Sequence, residues 1–288
     1  NKRQRLAGCR GSCFAGSVFT QAGLMKNTYL DEILEVTRAS VTEKKKELPL
    51  SKLNNSSKNL WPTRGFINAL VNSIKRNQVA VIAEMKKASP SQGLIREAYA
   101  PVELAKQYQQ AYAACLSVLT DEPFFKGSIE HLLLVRETVN LPVLRKDFIV
   151  DEYQIYESRY KGADCILLIV AALSKSELQD FYHLALDLDL DVLVEVHNQE
   201  EVETALDLKS KLIGINNRNL ETFEVDLETT TRLFEEIPEE ILTVSESGIK
   251  SSKDIKRLIS CGVNIFLVGE ALMRAENPGT ELKNLFYK

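Results

Sequence analysis

DVLVEVHNQEEVETALDLKSKLIGIN, residues 191–216, holds two short apolar runs with one amphipathic stretch between them. Asp191–Val196 and Leu212–Asn216 are strand-length, and Glu200–Leu208 reads as the helix that joins them. Outward from this segment the same unit recurs. The other runs are Val79–Lys86, Leu116–Thr120, Pro142–Phe148, Cys165–Val170, Leu242–Ser247 and Ile265–Gly269. Helical stretches lie between them at Val102–Ala113, Ile129–Val139, Glu152–Tyr160, Lys175–Leu186 and Ser252–Ser260. The units share no sequence identity, so the repeat is one of architecture and not a solenoid.

Strands covered on both faces read as continuous apolar runs, and these do. Eight strand–helix units in about 210 residues fit a closed α/β barrel, (β/α)8, the TIM-barrel architecture. A doubly wound open sheet would put a glycine-rich loop after its first strand. That position reads Lys86–Lys87–Ala88–Ser89–Pro90–Ser91, with no GxGxxG and no P-loop.

Upstream, Met25 to about Lys52 has helical spacing through Leu30, Ile33, Leu34 and Val36, and a second short helix is expected at Gly65–Ile74. These form an N-terminal helical extension of the barrel, so residues 25–288 are expected to be one domain. Residues 1–24 are different: they carry Lys2, Arg3, Arg5 and Arg10 and no acid. They are expected to be a disordered leader or extension outside the fold. One reading is a targeting segment, with a plastid transit peptide as the alternative location; the other is a translated extension upstream of Met25.

Forty-four per cent hydrophobic residues are enough for a core, which excludes general disorder. A formal charge of −4 argues against a nucleic-acid partner. It divides into +4 in residues 1–24 and, from 32 basic against 40 acidic residues, −8 in the rest. The longest apolar run, CILLIVAAL at residues 165–173, is half of what a membrane helix needs, about 20 residues, so no membrane role is expected. Five cysteines form no disulfide framework in a chain this long, and reduced thiols in a cytoplasmic setting are expected.

A barrel carries its active site at the carboxyl ends of the strands. Those ends hold Glu84–Met85–Lys86, Lys146–Asp147, Glu195, Asn216–Asn217–Arg218, Glu246–Ser247–Gly248 and Gly269–Glu270. By period-two alternation Glu84 and Lys86 share a face, as do Leu193, Glu195 and His197, while Lys146 goes with Leu144 and opposite to Arg145. Each charge is costly to bury unless paired or used, so one alone is as well read as a structural ion pair. Several from separate strands at one end point to a site. Glu84, Lys86, Lys146, Glu195 and Arg218 sum to +1, which predicts a cationic mouth and an anionic small molecule. Gly248, Gly269 and the Glu270 amide lie where barrels commonly cradle a phosphate, with the Glu270 side chain directed away, and Ser89 and Ser91 offer hydroxyls.

Ile82–Ala83–Glu84–Met85–Lys86–Lys87–Ala88–Ser89–Pro90–Ser91 resembles the signature segment of the indole-3-glycerol phosphate synthase family. Leu116–Glu122 with Phe124–Ser128, Leu144–Ile149, Val194–Val196, Gly214–Leu220, Ser245–Ile249 and Leu267–Glu270 continue the match in order. It covers roughly Tyr29 to Phe286. The resemblance implies a cofactor-free conversion of 1-(2-carboxyphenylamino)-1-deoxyribulose 5-phosphate into indole-3-glycerol phosphate, with loss of CO₂ and water, in tryptophan biosynthesis. It makes Lys146 the general acid at the ketone and Glu195 the acid/base partner in dehydration. Lys86 would bind the anthranilate carboxylate, with Glu84 orienting it. Asn216 and Ser247 would hydrogen-bond substrate, and Arg218 would help to hold the carboxylate. Ser89, Gly248, Gly269 and Glu270 would bind phosphate. Which lysine delivers which proton is left open.

Bond formation onto a carbonyl needs a proton donor, and dehydration needs an acid and a base, which these residues can supply. Neighbouring cations are expected to lower the lysine pKa. Phe125, Phe148 and Leu167 are expected to wall the aromatic ring, though core packing explains them about as well. Arg145 departs from the small or apolar residue common in the family's third strand, and alternation turns it toward the helices or the rim.

His131, His183 and His197 are too scattered for a metal site, and Asp187–Asp191 lacks the glycine and bidentate glutamate of a calcium loop, so no metal or cofactor is expected. The expected partner is a small phosphorylated substrate, with the chain a monomer and docking to other tryptophan-pathway enzymes an option. Two alternatives stand beside the synthase. A degenerate, non-catalytic phosphate-binding barrel has no reason to keep Lys86, Lys146 and Glu195 together. The neighbouring pathway isomerase is expected to use a cysteine near the end of the first strand, where this chain has Lys86.

Overall fold

The computed structural model describes residues 28–57 and 62–287. Eight parallel strands close into a barrel: β1 (Ala80–Met85), β4 (Cys115–Leu119), β5 (Val143–Lys146), β6 (Cys165–Ile169), β7 (Asp191–Val196), β8 (Leu212–Asn216), β9 (Leu242–Glu246) and β10 (Ile265–Val268). A two-residue hairpin, β2 (Ala88–Ser89) with β3 (Gly93–Leu94), sits in the loop after β1. Each expected run contains a strand, shortened where the chain stops pairing. Pro142 has no N–H to give a ladder, and beyond Lys146 the Asp147 carboxylate accepts the Phe148 N–H at 2.9 Å.

Alternation divides the core. Val81, Ala83, Met85, Val194 and Val196 face outward into the helix layer, while Ile82, Leu144, Leu193, Val244 and Leu267 fill the barrel. The outer layer includes α4 (Pro101–Gln110), α5 (Ile129–Thr138), α6 (Glu152–Tyr160), α7 (Lys175–Asp187), α8 (Gln199–Asp207) and α10 (Ser252–Ser260), all within the expected stretches to a residue or two. Three helices were not read from the sequence: α9 (Glu228–Phe234), α11 (Glu270–Arg274) and α12 (Pro278–Phe286).

Among the described residues the N-terminal extension has three helices, not two. Pro49 ends α1 (Tyr29–Glu47) after an extended Leu48, and α2 (Leu50–Ser57) starts anew. The third, α3 (Phe66–Asn77), closes the amino-terminal end of the barrel with Phe66 and Leu70, both fully buried. Asp164 anchors it there, accepting the Arg64 N–H at 2.7 Å while paired with Arg136. Among the described residues the carboxyl end remains open. Arg145 lies on the helix side, ion-paired with Asp147 at 3.0 Å and Glu157 at 2.8 Å. Among the described residues no helix is long and apolar enough to cross a membrane. The expected leader, residues 1–24, lies outside the described residues.

Candidate active site

The open end holds a cleft of about 1130 Å³, free space at its mouth included, and all fourteen residues given site roles from the sequence line it. That is ample for one small molecule. Glu84 projects inward from β1, and Lys86 Nζ reaches its Oε1 at 2.7 Å. Gly269 makes room for it: a Cβ there would lie 3.0 Å from the Glu84 Cβ.

Lys146, at the end of β5, is the hub of the second group. Its Nζ stands 3.0 Å from Glu195 Oε2 and 3.5 Å from Glu246 Oε2. Asn216 Nδ2 donates to Glu195 Oε1 at 3.1 Å. Register brings these together: β6 and β7 pair Ile169 with Glu195, β7 and β8 pair Glu195 with Gly214, and β8 and β9 pair Asn216 with Glu246. Gly214 has no side chain where the Glu246 carboxylate lies.

The electrostatics correct two expectations. Five carboxylates (Glu84, Asp147, Glu195, Glu246, Glu270) and three cations line the cleft, so the mouth is not cationic. The sum of +1 left out Glu246, Glu270 and Asp147, although Asp147 turns to Arg145. Nor is the Lys146 pKa lowered by other cations. Burial would lower it, but Glu195, Glu246 and Glu84 outweigh burial and push it up. For Glu195 burial acts upward, and Lys146 and His197 overcome it, holding the carboxyl well below its ordinary range. Burial pushes Glu246 up to about 8; Lys146 opposes this, and Glu195 and Glu84 add to it.

The end expected to take a phosphate is built from turns. Ser247 and Gly248 both take positive φ, +64° and +82°, directly after β9. Asn217 holds that turn, donating to the Glu246 and Ser247 carbonyls at 2.9 and 3.1 Å. Ser89 lines the same cleft, and Arg218 Nη1 donates to Ser91 Oγ at 3.3 Å. The Glu270 side chain does not turn away: it pairs with Arg218 at 3.6 Å and Arg274 at 3.2 Å.

Phe125 and Phe148 stand 6.1 Å apart between ring centroids, with Leu167 on the same wall. Sequence reasoning missed the cover, where Tyr29, Leu30 and Ile33 of α1 line the cleft together with Leu220 and Phe223. Tyr29 packs edge-on against Phe223 at 5.2 Å and Phe124 at 5.8 Å. The Leu30 and Ile33 spacing signalled a buried helix face, but not which end of the barrel it covers. Glu246 was visible as a strand-end acid and went unused. Among the described residues no group of three or more His, Cys, Asp or Glu is placed to hold a metal ion.

The family model described as indole-3-glycerol phosphate synthase matches residues 30–285. An indole-3-glycerol phosphate synthase of Polaromonas naphthalenivorans (strain CJ2) is 51% identical over 257 residues, 89% of this chain and 98% of that protein. One from Polaromonas sp. (strain JS666 / ATCC BAA-500) is 50% identical over 257 residues, 89% of this chain and 97% of that protein. A crystal structure of 3-hexulose-6-phosphate synthase matches 72% of this chain and 97% of its own with a TM-score of 0.58 and 16% identity, a likeness of fold alone.

Proposed function

The chain belongs to the indole-3-glycerol phosphate synthase family, and from that premise we propose how its mouth performs the ring closure. The activity is that of a decarboxylating carbon–carbon lyase of tryptophan biosynthesis. The substrate is 1-(2-carboxyphenylamino)-1-deoxyribulose 5-phosphate. Its ring carbon bonds to the ketone carbon, CO₂ leaves, and loss of water completes the indole.

Lys146 is the proton donor at the ketone oxygen. The carboxylates around it keep its ammonium charged at rest. As the carbon–carbon bond forms, the oxygen becomes an alkoxide, a far stronger base than an amine, so transfer from Nζ runs downhill. Glu195, ionised and 3.0 Å from the same lysine, serves as acid/base partner in the dehydration. Glu246, 3.5 Å from the same lysine, shares with Glu195 in holding its ammonium.

Lys86, steadied by Glu84, meets the ring carboxylate, with Arg218 assisting. Asn216 and Ser247 hydrogen-bond the substrate. Phe125, Phe148 and Leu167 enclose its ring. Ser89, Gly248, Gly269 and the Glu270 N–H receive the phosphate. A cytoplasmic setting and a monomeric working unit go with this reading, as does treatment of residues 25–288 as one domain.

The observation that carries the residue roles is the meeting of Lys146, Glu195 and Glu246 from three strands at one open end. The test is turnover by the purified chain, followed by indole fluorescence and CO₂ release. Equal amounts of both products are expected, and their absence would refute the reading.

A further inference from the structure

Glu195 has His197 beside it as well as the groups of the cleft. His197, two residues on and on the same side of the chain, has Nε2 3.4 Å from Glu195 Oε1. Its Nδ1 lies 3.0 Å from Glu201 Oε2. The same Glu201 oxygen accepts the His197 backbone N–H at 2.9 Å, and Glu201 Oε1 accepts from Asn198 Nδ2 at 2.6 Å. The Glu201 N–H returns to Asn198 Oδ1 at 3.0 Å, with Asn198 as the N-cap of α8. One oxygen therefore holds both the backbone and the ring of His197, which fixes the ring with Nε2 3.4 Å from Glu195 Oε1, a charge contact and not an aligned hydrogen bond.

The ring does not line the substrate cleft; it borders an adjoining groove that shares Asn216 and Arg218 with it. Its side chain is 12% exposed and lies between two carboxylates. Burial alone would discharge it, but the two carboxylates beside it, Glu195 and Glu201, keep it an imidazolium, with its pKa pushed up to about 9.

We infer that His197 is a positioning residue for the ring closure: it holds the Glu195 carboxylate turned to Lys146 and Asn216, and it ties that orientation to the first turn of α8 through Glu201. The inference rests on the role proposed for Glu195. His197 touches no substrate and acts on turnover through one carboxylate. Removing it frees Glu195 Oε1 on one side and takes away a cation from a group otherwise holding Glu84, Glu195 and Glu246 against Lys86 and Lys146.

The test is kcat, KM and Tm for His197→Asn and Glu201→Gln, each made in the wild type and in Glu195→Gln. In the wild type His197→Asn should lower kcat about tenfold with KM changed less than about twofold, and Glu201→Gln should act in the same direction. In the Glu195→Gln background neither should cost anything more, because the group through which they act is gone. An equal loss in both backgrounds, or wild-type kcat in His197→Asn, overturns the inference. Should His197→Asn fail to fold, Glu201→Gln, which keeps the ring and removes its anchor, carries the same comparison. Wild-type kcat in Glu195→Gln alone would instead overturn the role given to Glu195.

Discussion

Gly214→Ala strikes the centre of the lysine–carboxylate cluster without touching a charge. Gly214 does not have the left-handed backbone that excludes side chains, so space alone opposes alanine. The new Cβ would land on Glu246 Oε1, with Leu193 Cδ1 at 3.1 Å and Glu246 Cδ at 3.2 Å. The carboxylate must withdraw by about 1 Å to regain contact distance, which moves it relative to Lys146 Nζ, now 3.5 Å away. Overpacking of this kind costs about 1–3 kcal/mol. In a chain of this size that lowers Tm by roughly 2–12 °C. We expect kcat to fall by about tenfold with little change in KM, measured by indole fluorescence beside a calorimetric melt. Adding Glu246→Asp, one methylene shorter, should recover Tm and leave kcat low. Wild-type kcat and Tm in Gly214→Ala would refute the reasoning, because the Glu246 carboxylate would then be free to move without consequence.

Glu246 binds a proton in the folded chain that it loses when unfolded between about pH 4.5 and 8, so stability should fall as pH rises through that window. Glu246→Gln, which cannot ionise, should flatten that fall in urea titrations at pH 5, 6, 7 and 8; an unchanged slope would clear Glu246 of it. Arg145→Leu leaves the buried Asp147 without its cation and Glu157 with Lys44 at 3.8 Å, and should cost about 3–5 kcal/mol in the same titrations. A cost under about 1 kcal/mol would mean that the network relaxes. Tyr29→Ala removes two edge-on ring contacts worth about 0.5–1.5 kcal/mol each, and should raise KM by about tenfold with kcat nearly kept. An unchanged KM would separate α1 from substrate binding.

The barrel was legible because its strands are buried on both faces: CILLI and LIGIN leave little choice of face or partner. The helices that escaped notice have weaker patterns. ETTTRLF in α9 places three threonines where a periodic apolar stripe would be read, and it is helical because Thr230 and Leu233 bury against the strands. The Leu48–Pro49 break in the first helix shows the reverse case, where a proline outweighed the charged run around it.

In the site, alternation was enough to aim Glu84, Lys146 and Glu195 inward, since one residue of slip would reverse every side chain. What alternation could not give is which carboxylate ends beside which lysine. That depends on strand stagger around the barrel, and it decides the direction of the Lys146 pKa. The cover of Tyr29, Leu30 and Ile33 was hidden for a related reason, because an amphipathic helix states that it is buried without saying against what. The Glu270 side chain, too, finds its partner in Arg218, far away in the chain.

The central claim is that Lys146 supplies the proton that closes the ring, and Lys146→Ala tests it most directly. Single-turnover rate and substrate affinity should be measured together, with a melt to establish folding. The expected result is a rate lower by about two to four orders of magnitude, with affinity changed less than about tenfold. A folded Lys146→Ala chain that closes the ring at the wild-type rate would contradict the account.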